Sequence, residues 1–460
     1  MKPPKLLIRI GVVLLIVVAA VLVVRTVFDI VEGRRLAGAL AGLKEKGVPV
    51  TAGDLAAPCP DEDNAARLWK AAENMTAFEK KANRGPGLPP RPHPPALESF
   101  SRAWQDYAAG RPIAPADRSV LKDLILENQK VFELLAEMGQ KPCFLYRDPG
   151  QTLLAARLPS AVQMLRITKL QLFSALFSAE EGDVETAVGK IGTGLRFAPL
   201  AAQEGSLISY LIAVSESRML AFFLGDMFRG RPIGDEALLR LIDELDPAPW
   251  PGRLAGAVRG ERVVFIEAGD YVLRGSLKEM LESLHGEPSL LKSVGAWLIR
   301  PLLKRDIRGA LPIYDELEAQ ARRPYYESRG FFGSRGRELM KRPWYAFLSK
   351  AMIANFEAAF MKEALVEATF LASRTGLACR LYKSRTGRYP DNLEALVPGI
   401  LKEVPIDPFT GKALVYRRDG EGFIVYSLGT NEKDDGGRST FNVSRLVMHK
   451  DDDLSWREDR

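Results

Sequence analysis

The chain begins with an unbroken apolar run. Every residue from Ile10 to Val24 is apolar or glycine, and the helical pattern extends from Leu6 to Phe28. About 20 apolar residues in a helix cross the ~30 Å hydrocarbon core of a bilayer, so residues 1–28 are predicted to be a tail and transmembrane anchor. A cleaved signal peptide is the alternative. The small-residue pattern Ala39-Leu40-Ala41 lies beyond charged residues, however, which favours an uncleaved anchor.

Helical spacing of apolar positions continues through most of the following chain. Residues 29–83 predict juxtamembrane helices, one of them capped by the stretch Asp61-Glu62-Asp63-Asn64. Residues 84–95 form a linker rich in proline and glycine, which excludes regular structure. Residues 96–321 again carry apolar residues at helical spacing and predict a helical domain.

Two segments of this helical domain are nearly as apolar as membrane spans. They cover residues 152–179 and 206–228, and the charges inside them favour burial within a bundle. Between them, Gly182-Asp183, Ala187, Gly194 and Pro199 have a spacing that resembles one tetratricopeptide-type helical hairpin. Because no second copy is visible, we predict an irregular helical bundle ahead of a repeat solenoid.

Residues 322–345 mix arginine and lysine with tyrosine and phenylalanine. Segments of this kind bind nucleic acid or a lipid interface in some proteins. We predict instead a flexible basic connector that packs against the helical domain, with no nucleic-acid partner.

The last part of the chain, residues 346–460, changes to short alternating runs. A long helix is predicted from Pro343 to Arg385, with Gly387 ending it because glycine accepts a left-handed conformation. Asp391, with Glu394 three residues later, predicts the cap of a short helix over 392–397. Strands are predicted at Lys412–Arg417, Phe423–Ser427 and Phe441–Met448.

The predicted fold class is therefore mainly α. It consists of an N-terminal transmembrane helix, an irregular helical bundle and a small α+β C-terminal domain. In that last domain a long helix lies on a three-stranded antiparallel sheet.

Composition adds little chemistry to this picture. The net charge of +6 and pI near 9.0 suit an anionic membrane as well as nucleic acid. Cys59 and Cys143 can pair in an oxidising compartment, and the alternative is that all three thiols, with Cys379, stay reduced. The sequence contains no phosphate-binding glycine loop, zinc-protease motif or nucleophile elbow, so we predict that the protein is not an enzyme.

Charges flanking the apolar run predict the orientation. Lys2, Lys5 and Arg9 form a short, purely basic tail before the span, and five further basic residues follow it: Arg25, Arg34, Arg35, Lys44 and Lys46. Basic tails stay on the cytoplasmic side, so we expect a single-pass protein of the bacterial cytoplasmic membrane with its bulk on the periplasmic or outer side.

The C-terminal motifs resemble those of one known family. They are Tyr382-Lys383, Gly387-Arg388-Tyr389-Pro390, Leu393 to Leu396, Pro405 to Phe409, Tyr426-Ser427-Leu428-Gly429 and Asp451 to Trp456. In this order they resemble the globular domain of the major pseudopilin of type II secretion systems, which implies the helix-on-sheet fold. The remainder of the chain resembles membrane-anchored bacterial proteins. Because Ile10-Gly11-Val12 is not a pseudopilin processing site, fibre assembly through the N-terminal helix is not predicted.

The same resemblance implies a calcium site in the loop after the second strand. The matched donors are Ser427, Leu428, Asp451 and Asp453, and further oxygen donors are Asn431, Asp434 and Asp435. Calcium takes about six to eight oxygen ligands from flexible loops. The alternative is a solvated acidic surface, and no other cofactor is predicted.

The function predicted from these features is that of a structural or protein-interaction protein of the cell envelope. Its expected partners are the membrane, through the N-terminal helix, and other envelope proteins; its oligomeric state stays open. One alternative is a relative of a type II secretion or pilus-like machine with a calcium-binding loop. The other is an enzyme within the helical domain.

Overall fold

The computed structural model describes residues 5–55, 59–76, 95–148, 150–247, 250–276, 290–354, 356–438, 441–442, 447–448 and 453–458. The α-helices are α1 (Lys5–Glu45), α2 (Ala52–Leu55), α3 (Ala65–Met75), α4 (Pro95–Ala108), α5 (Pro115–Glu127), α6 (Gln129–Met138), α7 (Ala161–Glu180), α8 (Val184–Phe197), α9 (Leu207–Phe228), α10 (Asp235–Glu244), α11 (Trp250–Tyr271), α12 (Leu290–Gln320), α13 (Tyr325–Lys341), α14 (Phe347–Ile353) and α15 (Phe356–Thr386). The strands are β1 (Val415–Asp419), β2 (Gly422–Ser427), β3 (Phe441–Asn442), β4 (Val447–Met448) and β5 (Leu454–Glu458). Shorter 3₁₀ turns cover Ala198–Glu204, Leu393–Leu396 and Gly429–Asn431, and a π-helical turn covers Val272–Ser276. The mainly α fold predicted from the sequence is confirmed.

Among the described residues, two helices are long and apolar enough to cross a membrane. One belongs to α1, whose apolar residues from Val12 to Val24 are exposed on all sides. The other is α9, of whose most apolar window 72% is buried inside the protein. The second helix is therefore a core helix, as its internal charges predicted, and α1 is the candidate membrane anchor.

Neighbouring helical hairpins pack against one another in the body. Helix α7 contacts both α5 and α9, and α8 contacts both α6 and α10. The hairpin of α7 and α8 contains the small residues noted in the sequence. Gly194 allows α9 to approach, since a Cβ there would lie 3.0 Å from Leu220 Cδ1. The long helix α15 then packs across both α9 and α10.

The C-terminal sheet lies against α15. Its strand order is β1-β2-β5, and both pairs are antiparallel. The predicted strands near 412–417 and 423–427 are present, but the third strand was assigned wrongly. Leu454–Glu458 pairs with β2, whereas β3 and β4, within the predicted third strand, form a separate small pair.

Local signals at the start and end of helices were partly correct. Asn64 caps α3, accepting a hydrogen bond from Ala66 N at 3.0 Å, and Gly387, with φ of 81°, follows the end of α15. The predicted cap Asp391 was wrong: Asn392 accepts from Ala395 N at 3.1 Å and begins a 3₁₀ turn. Asp391 instead pairs with Arg388 at the surface.

Two predicted segments differ from the structure in a larger way. The supposed flexible connector over 322–345 contains the helix α13, whose residues Ser328, Phe332 and Leu339 are buried. The helix predicted from Pro343 is interrupted, with α14 ending at Ile353 before α15 begins. Of the predicted linker 84–95, only Pro95 lies within the described residues, where it begins α4.

A disulfide and a continuous core hold the body together. Cys59 and Cys143 are paired, with their Cα atoms 5.9 Å apart, while Cys379 is buried and free. One hydrophobic core extends from Ala65 on α3 to Trp456 on β5. The division of the chain into separately folding domains stays a prediction.

Candidate functional site: the acidic loop after β2

The loop after β2 is held by the carboxylate of Asp407, a residue of the Pro405–Phe409 motif that was not among the predicted donors. Asp407 is buried and accepts hydrogen bonds from Phe409 N at 2.9 Å, Ser427 Oγ at 2.9 Å and Leu428 N at 3.0 Å. The Ser427 hydroxyl also accepts a bond from Gly429 N at 3.1 Å. Ser427 and Leu428 are therefore fixed by Asp407, and the Ser427 hydroxyl is already engaged.

The middle of the loop satisfies its own polar groups. Asp434 Oδ1 accepts from Tyr426 OH at 2.8 Å and from Gly436 N at 2.9 Å, and these bonds lower the pKa of Asp434. Asp435 Oδ2 accepts from Asn431 Nδ2 at 2.8 Å. These three predicted donors are thus present in one loop, but part of their oxygen capacity serves to fold that loop.

Asp453 joins this loop from the start of β5. It is fully buried, and its Oδ2 accepts a hydrogen bond from Gly437 N at 2.7 Å. Its Oδ1 is also buried and finds no hydrogen-bond donor within the described residues. Burial raises the pKa of Asp453 to about 6. The backbone amides of Gly437 and Asp435 oppose that shift, and the charges of Asp435 and Asp434 add to it.

This arrangement brings several oxygen donors, the kind of ligand that calcium prefers, into one loop. Asp453 has a buried carboxylate oxygen without a hydrogen-bond donor among the described residues, and two further carboxylates lie close to it. A hard cation bound there would offset the negative charge and satisfy that oxygen. However, the described residues contain no group of three or more His, Cys, Asp or Glu side chains arranged to hold a metal ion. Asp451, the remaining predicted donor, lies outside the described residues.

A second polar cluster gave no recognisable signal in the sequence. On α15, Glu363 is buried with Oε1 unbonded, and the hydroxyl of Tyr210 on α9 likewise has no hydrogen-bond partner in the part of the chain that the structure describes. Burial raises the pKa of Glu363 well above its ordinary value and that of Glu367 to about 7. Glu363 and Glu367 lie one helical turn apart on α15, so the two carboxylates interact electrostatically.

Glu367 opens into a cleft of about 330 Å³, which also contains Arg374, Lys402 and Glu403. Acidic and basic groups converge in this cleft, so it is one place where the enzyme alternative could operate. No His, Cys, Ser or Thr is present among its described lining residues. A carboxylate with a pKa near neutrality is suited to proton transfer, but the described lining offers no hydroxyl, thiol or imidazole to accompany it.

Comparison with known proteins assigns no family to the chain. No protein-family model matches it, and no curated protein or solved structure is detectably similar. Any function must therefore be argued from this chain's own residues.

Proposed function

We propose that the protein is a membrane-anchored structural or interaction protein of the bacterial cell envelope, with its body outside the cytoplasmic membrane. The observation that carries the proposal is the two-part character of α1. Its apolar residues from Ile10 to Val24 are exposed, whereas Glu32 and Leu43 in its second half are buried against the body. An apolar helix that leads without interruption into a packed helix is expected of an anchor that stays attached.

The position of α1 also favours the anchor over a cleaved signal peptide. The candidate cleavage residues 39–41 lie inside the helix, beyond Asp29 and Glu32. Those two acids form ion pairs with Lys304 at 2.8 Å and Arg308 at 3.3 Å on α12. Cleavage at 39–41 would remove both acids and leave the two basic residues without these partners.

The disulfide supports the proposed side of the membrane. Disulfides such as Cys59–Cys143 persist in oxidising compartments and are rare in the cytosol. The basic tail of Lys2, Lys5 and Arg9 favours a cytoplasmic N-terminus and so the same orientation.

Labelling of single added thiols tests this topology. In the wild type two cysteines are paired and Cys379 is buried, so Ser101→Cys on the exposed face of α4 adds one accessible thiol. We expect a membrane-impermeant maleimide to label Ser101→Cys in intact spheroplasts. The matched variant Lys2→Cys should be labelled only after lysis. The reverse pattern would overturn the orientation, and extraction of the chain by alkaline carbonate would overturn the anchor.

The interaction role can be tested at an exposed apolar position. Trp344, between α13 and α14, is 75% exposed, and Leu126 on α5 is 67% exposed. Contiguous exposed apolar groups mark contact surfaces. Trp344 is the most exposed large hydrophobic residue that the structure describes, and Met340, four residues earlier, is 59% exposed. We expect a photoreactive residue at position 344 to give discrete crosslinks to envelope proteins in cells. Equal crosslinking from position 126 would indicate non-specific contact.

A calcium-binding loop, as in a relative of a secretion or pilus-like machine, is the second candidate. It is favoured by the unbonded, buried Oδ1 of Asp453. We expect about 1 mM calcium to raise the melting temperature of the detergent-purified full chain. The rise should be lost in Asp453→Asn and kept in Asp391→Asn, a surface control. The absence of any shift in the wild type would remove calcium from the proposal.

A further inference from the structure

Helices α1 and α12 run side by side in the same direction where α1 leaves its apolar part. Arg25 Nη2 donates to Trp297 O at 2.6 Å, and the guanidinium lies 3.9 Å from the centre of the Trp297 ring. Further along, Lys304 pairs with Asp29. Residue numbers rise together on both helices, so the two helices are parallel and Trp297 is level with Arg25.

This contact fixes the body to the anchor. The Glu32 side chain is 1% exposed and pairs with both Arg308 and Arg35. Gly33 leaves space for Lys304, since a Cβ there would lie 3.2 Å from Nζ. Buried charges that have partners on another element are costly to separate, so α1 is not a flexible tether.

The register places the start of α12 at membrane depth. Leu290 precedes Trp297 by seven residues, which is about 10 Å of helix at a rise of about 1.5 Å per residue. The same distance along α1 from Arg25 leads back to Val18, through residues that are apolar and exposed. The first turns of α12 thus point in the direction in which α1 enters lipid.

The sequence of these turns suits the boundary between headgroups and acyl chains. Residues 290–300 read LLKSVGAWLIR, apolar except for Lys292, Ser293 and Arg300. Tryptophan is enriched at this boundary, and basic side chains extend from it toward water. Leu298, which follows Trp297, is 43% exposed, so no described part of the body covers it completely.

We propose that the first turns of α12, residues 290–298, form a second membrane contact that lies in the interfacial region of the bilayer beside α1. This inference rests on the proposed function, because it requires α1 to span the membrane. The parallel Arg25–Trp297 contact fixes the depth of both helices. The body would consequently be held against the membrane surface at a set angle.

Tryptophan quenching by lipid tests the contact. Of the six tryptophans, Trp69, Trp104, Trp250 and Trp456 are buried, and Trp344 is the most exposed. In the variant Trp344→Phe, Trp297 is the one remaining tryptophan that is not buried in the core. The full-length variant would be reconstituted into phosphatidylcholine–phosphatidylglycerol vesicles whose acyl chains are brominated close to the headgroup. The difference in fluorescence between Trp344→Phe and the double variant Trp344→Phe with Trp297→Phe is the emission of Trp297. We expect the brominated lipid to quench most of this emission.

The controls separate this inference from the anchor itself. Vesicle flotation and resistance to alkaline extraction report whether α1 is inserted. If the chain floats but brominated lipid does not quench Trp297, the second contact is wrong while the anchor stands. This conclusion holds even if aqueous iodide also fails to quench Trp297, because that result would mean that protein, and not lipid, covers the ring. If the chain does not float, both proposals fail. Stronger quenching by lipids brominated near the end of the acyl chain would also overturn the interfacial position.

Discussion

Glu216 lies in the middle of α9 and is fully buried. Its Oε1 accepts a hydrogen bond from Thr168 Oγ1 at 2.8 Å, and burial raises the pKa of the carboxyl to about 8. Between the ordinary pKa and this value, the folded state holds a proton that the unfolded state lacks. The free energy of unfolding must therefore fall as pH rises through this window, by at most about 1.4 kcal/mol per pH unit from this group.

Glu216→Gln removes this titration and can keep the bond from Thr168. We expect the variant to lose less stability than the wild type between about pH 5 and 8, and to be the more stable protein at the upper end. Urea unfolding at several pH values measures the difference. Glu363 and Asp453 titrate in both proteins, so they do not affect the comparison. Parallel pH profiles would show that Glu216 is ionised in the folded state.

Gly376 shows how one missing methyl group permits a packing contact. A Cβ at this position in α15 would lie 2.3 Å from Trp456 Cγ, whereas a Cβ at Gly330 in α13 would meet nothing within 4 Å. We expect Gly376→Ala to lower the free energy of unfolding by about 1–3 kcal/mol through overpacking. Gly330→Ala should be neutral or stabilise by up to about 1 kcal/mol, because alanine favours helix. Equal effects in denaturant unfolding would contradict the close approach of Trp456.

At the scale of elements, the disulfide connects the segment before α3 to the chain after α6. The two cysteines are separated by 84 residues, so opening the bond releases a long loop. On the chain-entropy model we expect Cys59→Ser with Cys143→Ser to cost about 4.6 kcal/mol. Reductant should lower the melting temperature of the wild type and leave that of the double variant unchanged. A reductant effect on the double variant would point to some other cause.

The sequence predicts elements well where the signal is local. The apolar run of α1, the cap at Asn64 and the stop at Gly387 depend on neighbouring residues only. The third strand of the sheet depends on distant residues instead. Strand β5 takes this place because Trp456 packs on Gly225 and Gly376, which are far from it in the chain. Short alternating runs near 441–448 look equally strand-like, so the pattern alone favoured the wrong one.

The segment 322–345 illustrates the same limit. Its charge and glycine content predicted a connector, yet α13 is stabilised by contacts with distant residues. Phe332 lies 4.5 Å from Phe360, centre to centre, and Tyr325 lies 5.6 Å from Phe409. Within the acidic loop, the sequence placed the donors together but could not show that Asp434 binds Tyr426 or that one oxygen of Asp453 lacks a donor.

At the scale of the whole molecule, Trp456 joins the C-terminal sheet to the helical body. It is 2% exposed, and a Cβ on Gly225 of α9 would lie 3.4 Å from its ring. Near it, Arg380 of α15 donates to Phe228 O at 2.8 Å at the end of α9. Sheet, α15 and α9 therefore share one set of contacts, which predicts that they unfold together.

Trp456→Ala tests this cooperativity. We expect a loss of about 3–5 kcal/mol in the free energy of unfolding, from lost burial and the cavity left behind. Hydrogen exchange should then accelerate in α9 and α15 as well as in β2 and β5, because the contacts of Trp456 include both helices. Conversely, a loss of protection limited to the strands would mean that the sheet is an independently folding domain. In that case a C-terminal truncation could remove it and leave α9 with wild-type protection.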